Sequence, residues 1–136
     1  MMWARIRQIF TGRNSGTSAK SGPVVAEKIA RSVERLIAEQ RADADAKDKN
    51  TAHWGQTGSI VRRAANECAA VLLPTPDGDG VSAYFGRVLP ALAALADRYR
   101  HDDGDADGYG LGTVREIEEA IRAMATTWGI VVWVGE

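Results

Sequence analysis

The chain has 136 residues, enough for one domain with its own hydrophobic core, and its apolar fraction of 45% is ordinary for a globular protein. The formal net charge of −1 argues against a general nucleic-acid binder, because such proteins carry a large basic surplus. A single cysteine, Cys68, leaves no internal disulfide, and we find neither a secretory signal nor a long apolar run, so the sequence predicts a soluble cytoplasmic protein.

The first segment, residues 2–10, is amphipathic. On a helix its apolar residues fall in one broad stripe, and its basic residues fall outside that stripe. So short a helix is not stable alone in water and needs a surface on which to fold. We predict that it docks on a partner protein or on an anionic membrane surface; the alternative is that it folds back onto the chain's own core. The predicted contacts are Trp3, Arg5, Ile6, Arg7 and Phe10.

The stretch that follows is rich in Gly, Ser and Thr, a composition typical of a flexible linker. The sequence therefore predicts two parts. Residues 1–22 form the basic amphipathic segment and its linker, and residues 23–136 form a single helical domain.

Within this domain, apolar residues recur with helical spacing in four stretches. Pro74 ends the second stretch and Gly129 ends the fourth. Thr113 and Glu116 have the spacing of a capping box, which predicts that the fourth helix begins there. The predicted fold class is mainly α, an irregular four-helix bundle. Its helices cover residues 23–47, 59–73, 82–100 and 113–128.

The last apolar stretch, Ile130–Val134, is β-branched and aromatic, which predicts a short C-terminal β-strand. An isolated strand exposes unpaired backbone groups, so it invites pairing with a second copy or with the sheet edge of a partner. Alternatively it packs across the helices, with an extended stretch near Val81 as its neighbour. The predicted partner contacts in this segment are Ile130, Val132 and Trp133.

A loop between the third and fourth predicted helices carries aspartates at alternate positions. Asp103, Asp105 and Asp107 are followed by Gly108, the arrangement with which a short loop surrounds a hard cation with oxygens. The first half of the loop resembles the calcium-binding loop of the EF-hand family. The resemblance implies Ca²⁺ held by the three carboxylates and the backbone carbonyl of Tyr109. The second half departs from the pattern, and the other interpretation is a solvated acidic connector.

The bidentate acid of an EF-hand loop is missing, because Val114 stands in its place. Catalytic motifs are also missing. A small hydrolase would have to use His101 with the neighbouring aspartates, since neither histidine belongs to a zinc or nucleophile motif. We therefore predict a non-catalytic protein-interaction module: an adaptor, an inhibitor or an assembly component that binds a protein partner or itself. A calcium-responsive binding protein is the main alternative, and nucleic acid is an unlikely ligand.

Overall fold

The computed structural model of the chain describes residues 15–78, 80–105 and 107–130, with side chains from Val24 onward. This part of the protein is mainly helical, as predicted. It contains five α-helices and one 3₁₀ turn, Asp103–Asp105. The helices are α1 (Ser15–Asp48), α2 (Thr51–Trp54), α3 (Thr57–Leu72), α4 (Val81–Arg100) and α5 (Tyr109–Thr127).

The four long helices form a bundle in which each helix runs opposite to the one before it. Arg41 Nε of α1 donates to Asn66 Oδ1 of α3 at 3.0 Å, and Asp45, one turn later in α1, pairs with Arg62, one turn earlier in α3, so the two helices are antiparallel. The phenol of Tyr84, at the start of α4, donates to the Leu72 carbonyl at the end of α3 at 2.8 Å. Helices α1 and α3 pack mainly against each other, as do α4 and α5, and α3 also packs along α5.

The core is a continuous apolar cluster contributed by all four long helices. Its largest fully buried side chains are Phe85, Ile29, Leu72, Leu92, Ile117 and Ile121. Helix α4 continues through the exposed Pro90, and its buried residues follow the predicted apolar stripe on both sides of that proline.

The bundle has two ends, which carry different features. The terminal end contains residues 24–28 of α1 and residues 124–130, where the described chain finishes. The loop end contains the last turn of α1, the short helix α2 and residues 99–110, including the aspartate loop. Lys28 lies beside Trp128 at the terminal end, and Trp54 lies beside Tyr109 at the loop end. Helices α1 and α5 are therefore also antiparallel.

Several helix boundaries differ from the sequence predictions. Helix α1 begins at Ser15, inside the segment predicted as a linker, rather than at Pro23. Helix α3 begins at Thr57 rather than Ser59. The chain near Val81 opens α4, so it is not the extended neighbour suggested for the C-terminal strand. Residues 2–10 and 131–134 lie outside the described residues, and the strand itself therefore stays a prediction.

The capping-box prediction is wrong. Helix α5 begins at Tyr109, one turn before Thr113, so Thr113 lies inside the helix instead of capping it. Its hydroxyl donates back to the Tyr109 carbonyl at 2.9 Å, a contact that a threonine within a helix commonly makes. The N-cap position is held by Gly108, whose φ of 78° lies in the left-handed region that favours glycine.

Candidate functional site

The aspartate loop is organised around one buried carboxylate. Asp105 is only 7% exposed, and its two oxygens accept the backbone N–H groups of Gly110 and Leu111 at 2.7 and 2.8 Å. These donors belong to the first turn of α5, where no earlier carbonyl is available to them. The negative charge also lies at the positive end of the helix dipole. Asp105 therefore caps the N-terminus of α5, although it precedes the first residue of that helix by several positions in the chain.

The other aspartates of the loop do not join it around a common point. Asp103 and Asp107 are exposed, and the Tyr109 carbonyl accepts the Thr113 hydroxyl. Within the residues that the structure describes, no group of three or more His, Cys, Asp or Glu side chains is placed to hold a metal ion. The four ligands predicted for calcium are thus near one another in the chain, but the central carboxylate is committed to the helix.

A calcium titration tests the hypothesis directly. Calcium binding through Asp105 would have to break two hydrogen bonds to buried backbone donors, so we expect no saturating heat by calorimetry up to several millimolar CaCl₂. The melting temperature should also be the same in calcium and in chelator. A saturating heat that disappears in Asp103→Asn/Asp107→Asn would instead establish a calcium site.

An aromatic cluster lies next to this loop. The rings of Trp54 and Tyr109 meet edge to face at a centroid distance of 5.9 Å, and His53 packs on Trp54 at 4.8 Å. The Lys47 ammonium lies 4.5 Å from the centre of the Trp54 ring and pairs with Asp43 at 2.9 Å. Tyr109 is 41% exposed, so the cluster forms a partly open surface. We call Trp54, Tyr109 and His53 the aromatic surface.

No sequence pattern joins His53 and Trp54 with Tyr109. The two aromatic residues are far apart in the chain, and they meet because the antiparallel arrangement of α1 and α5 brings the end of α1, with the neighbouring α2, to the start of α5. Lys47 lies near the end of α1 whereas Trp54 belongs to α2, so helical spacing does not link this pair either, and the contact had no signal in the sequence.

A charged cleft of about 670 Å³ lies between α3 and α4. Arg63 donates to the Tyr99 hydroxyl at 3.0 Å and also pairs with Asp102. These hydrogen bonds raise the pKa of Arg63, with that from Tyr99 contributing most, and burial raises the pKa of Tyr99 to about 12. The Gly104 amide and then Arg63 lower the pKa of Asp102. The remaining residues that line the cleft are Glu67, Asp97, Arg98 and His101.

Charged side chains in this cleft form ion pairs with one another. Arg98 approaches Glu67 at 3.5 Å, and the Nδ1 atom of His101 lies 3.0 Å from the Asp97 carbonyl at the end of α4. His101 thus forms a local helix-end contact, and no Ser, Thr or Cys is among the residues that line the cleft. The geometry adds no support for the hydrolase hypothesis, whose predicted residues were His101 and the aspartates.

The terminal end exposes apolar side chains. Val24 is 50% exposed, Leu73 45% and Trp128 36%. The Lys28 ammonium lies 5.8 Å from the centre of the Trp128 ring, so the part of α1 around Lys28 and the end of α5 form one surface. Of the large hydrophobic side chains exposed in the described residues, only Tyr109 lies at the opposite end.

The chain leaves the bundle at this end through a Schellman motif. The Ile130 N–H donates to the Ala125 carbonyl at 2.9 Å, the Gly129 N–H donates to Thr126 at 3.0 Å, and Gly129 has a φ of 67°. Ile130 is half-buried and packs against the core. This predicted partner contact is therefore engaged by the bundle, while Trp3, Arg5, Ile6, Arg7, Phe10, Val132 and Trp133 lie outside the described residues.

Cys68 is a core residue. Its side chain is fully buried, and burial raises the pKa of the thiol to about 12. Because the thiolate is the reactive form, we expect no labelling of Cys68 by a disulfide reagent at mildly alkaline pH in the native state. Full labelling should follow on adding denaturant. Rapid labelling without denaturant would contradict the burial of this side chain.

Comparisons with protein-family models, curated proteins and solved structures gave no match to this chain. No helix in the described part of the chain is long and apolar enough to cross a membrane.

Proposed function

We propose that the protein is a small non-catalytic interaction module that binds a protein partner or itself through the terminal end of its bundle. The docking elements are the basic segment with Trp3, Ile6 and Phe10 and the C-terminal stretch Ile130–Val134, which we propose to be a β-strand. The observation that carries the proposal is the contact of Lys28 with Trp128. Lys28 lies well inside α1, which begins at Ser15, so the first turns of α1, which lead back to the basic segment, project past Trp128 at the end of the bundle from which the C-terminal stretch also leaves.

The composition of this end supports the proposal. Val24, Leu73 and Trp128 expose apolar surface in a domain whose other large hydrophobic side chains are mostly buried. Tryptophan is also among the residues that contribute most to protein interfaces. A protein partner fits better than a membrane, because residues 2–10 bury little area and carry only two positive side chains, Arg5 and Arg7.

Site-specific photo-crosslinking in the cells that naturally produce the protein tests the proposal. A photoreactive amino acid is placed at Phe10 or Trp128, and the matched control carries it at Ala123, which is exposed on the same helix as Trp128. We expect a discrete crosslinked product of raised mass from positions 10 and 128 and none from position 123.

The crosslinked species is identified by mass spectrometry, which separates a foreign protein from a second copy of the chain. Equal yields from all three positions would reflect random collision. The complete absence of a product at positions 10 and 128 would show that this end does not dock, and the proposal would then be wrong.

A further inference from the structure

We propose that the N-terminal segment of one copy of the chain docks on the aromatic surface of a second copy, giving a head-to-tail assembly. This inference rests on the proposed function and names its partner. The receiving surface consists of Trp54, Tyr109 and His53, and the loop that leads into α5 just before Tyr109 carries the exposed Asp103 and Asp107.

One ring of this surface is in contact with a cation of the same chain. The Lys47 ammonium lies 4.5 Å from the centre of the Trp54 ring. Aromatic rings attract cations at such distances through their negative faces. Tyr109, the neighbouring ring, is 41% exposed, so it remains open to an incoming side chain. Because Lys47 already covers the Trp54 ring, the Tyr109 ring is the one available to an arginine of the segment.

The loop before α5 and the N-terminal segment carry opposite charges. Asp103 and Asp107 are exposed, whereas Asp105 serves α5 and Asp102 pairs with Arg63. The N-terminal segment carries the opposite charge. Arg5 and Arg7 stand among its apolar residues, and no acidic residue occurs before Glu27. An apolar segment with arginines therefore matches an aromatic surface with carboxylates in both respects.

The N-terminal segment is too short to make this contact within its own molecule, so the contact forms between two copies of the chain. Helix α1 contains 34 residues, which corresponds to about 50 Å between its first residue and the loop end. The chain from Met2 to Asn14 covers about 45 Å even when it is fully extended. The apolar residues of the segment therefore cannot reach the aromatic surface of their own molecule, but they can reach that of a neighbour.

The resulting contact is heterologous, because two different surfaces meet. Each copy keeps one free N-terminal segment and one free aromatic surface, so the assembly grows into a closed ring or an open chain. With such a contact the protein would act as an assembly component, one of the kinds of interaction module predicted from the sequence.

Sedimentation equilibrium of the full chain over a range of concentrations tests this inference. At low salt the average mass should rise with concentration beyond that of a dimer, and at high salt it should return toward the monomer mass, because exposed charges are screened. Arg5→Glu/Arg7→Glu and Asp103→Lys/Asp107→Lys should each remain monomeric at low salt. Circular dichroism confirms that each variant is folded.

The decisive sample is an equal mixture of the two charge-reversal variants. In the mixture, the acidic segment of the first variant faces the basic loop of the second, and the basic segment of the second faces the acidic loop of the first. Both contacts are complementary, so the average mass should again rise beyond that of a dimer. A wild-type chain that stays monomeric, an association that survives both reversals, or a mixture that stays monomeric would each overturn the inference. A foreign protein crosslinked at positions 10 and 128 would still support the proposed function in those cases.

Discussion

Replacing Asp105 with alanine should lower the free energy of unfolding by about 3 kcal/mol, because two charge-assisted hydrogen bonds are lost and the Gly110 and Leu111 N–H groups are left without their acceptor. For a domain of this size, the melting temperature should fall by roughly 10 °C. Urea unfolding followed by circular dichroism measures the change in free energy.

Two variants of the same loop serve as controls. Asp105→Asn keeps the shape and one acceptor oxygen, so its loss of stability should be about half as large. Asp103→Ala removes an exposed carboxylate, and its effect should be within about 0.5 kcal/mol. Equal stability of Asp105→Ala and Asp103→Ala would show that Asp105 does not cap α5.

Replacing Gly58 with alanine should destabilise the protein by about 2 kcal/mol, although alanine is the better helix former. A Cβ atom at this position would lie 2.7 Å from the Ala44 carbonyl oxygen and would also meet the Asp48 carboxylate. The carboxylate can turn away, but the backbone oxygen belongs to α1. The two helices would therefore have to separate locally.

Gly86 provides a matched control, since it also lies inside a helix but has nothing within 4 Å of an added Cβ. Gly86→Ala should leave the stability unchanged or raise it by up to about 1 kcal/mol. Opposite signs for the two substitutions, measured by thermal and urea unfolding, would locate the close approach of α1 and α3 at Gly58. A stabilising Gly58→Ala would contradict that packing.

The bundle could be predicted because its evidence is local. The apolar stripes of α1, α3, α4 and α5 repeat with helical spacing, and the buried residues found in the structure, such as Ile29, Val33 and Ile117, belong to those stripes. Gly129 was also identifiable as the end of α5, because the left-handed position of a Schellman motif favours glycine.

The start of α5 could not be predicted in the same way. A capping box is a pattern of neighbouring residues, and Thr113 and Glu116 match it, but the N–H groups are satisfied by Asp105 from outside the helix. This arrangement requires the 3₁₀ turn and the left-handed Gly108, neither of which has a distinctive sequence pattern. Asp105 also matches the first half of a calcium-binding loop, and the sequence pattern alone does not distinguish that role from the capping of α5.

The aromatic surface and the charged cleft could not be predicted either, because each joins residues from distant parts of the chain. Arg63 belongs to no sequence motif, whereas the structure places its guanidinium against Tyr99 and Asp102. Which of several exposed charges will pair depends on how the helices align. That alignment is fixed by packing in the core, including the close approach at Gly58.

The division of the bundle into the pairs α1–α3 and α4–α5 has a consequence for how it opens. Within each pair the contacts join nearby parts of the chain, so each pair can form early and rapidly, and the docking of α3 on α5 completes folding. Native-state hydrogen exchange should therefore reveal two cooperative units that open with different free energies. A single exchange isotherm for the amides of all four helices would instead show that the halves never separate before global unfolding.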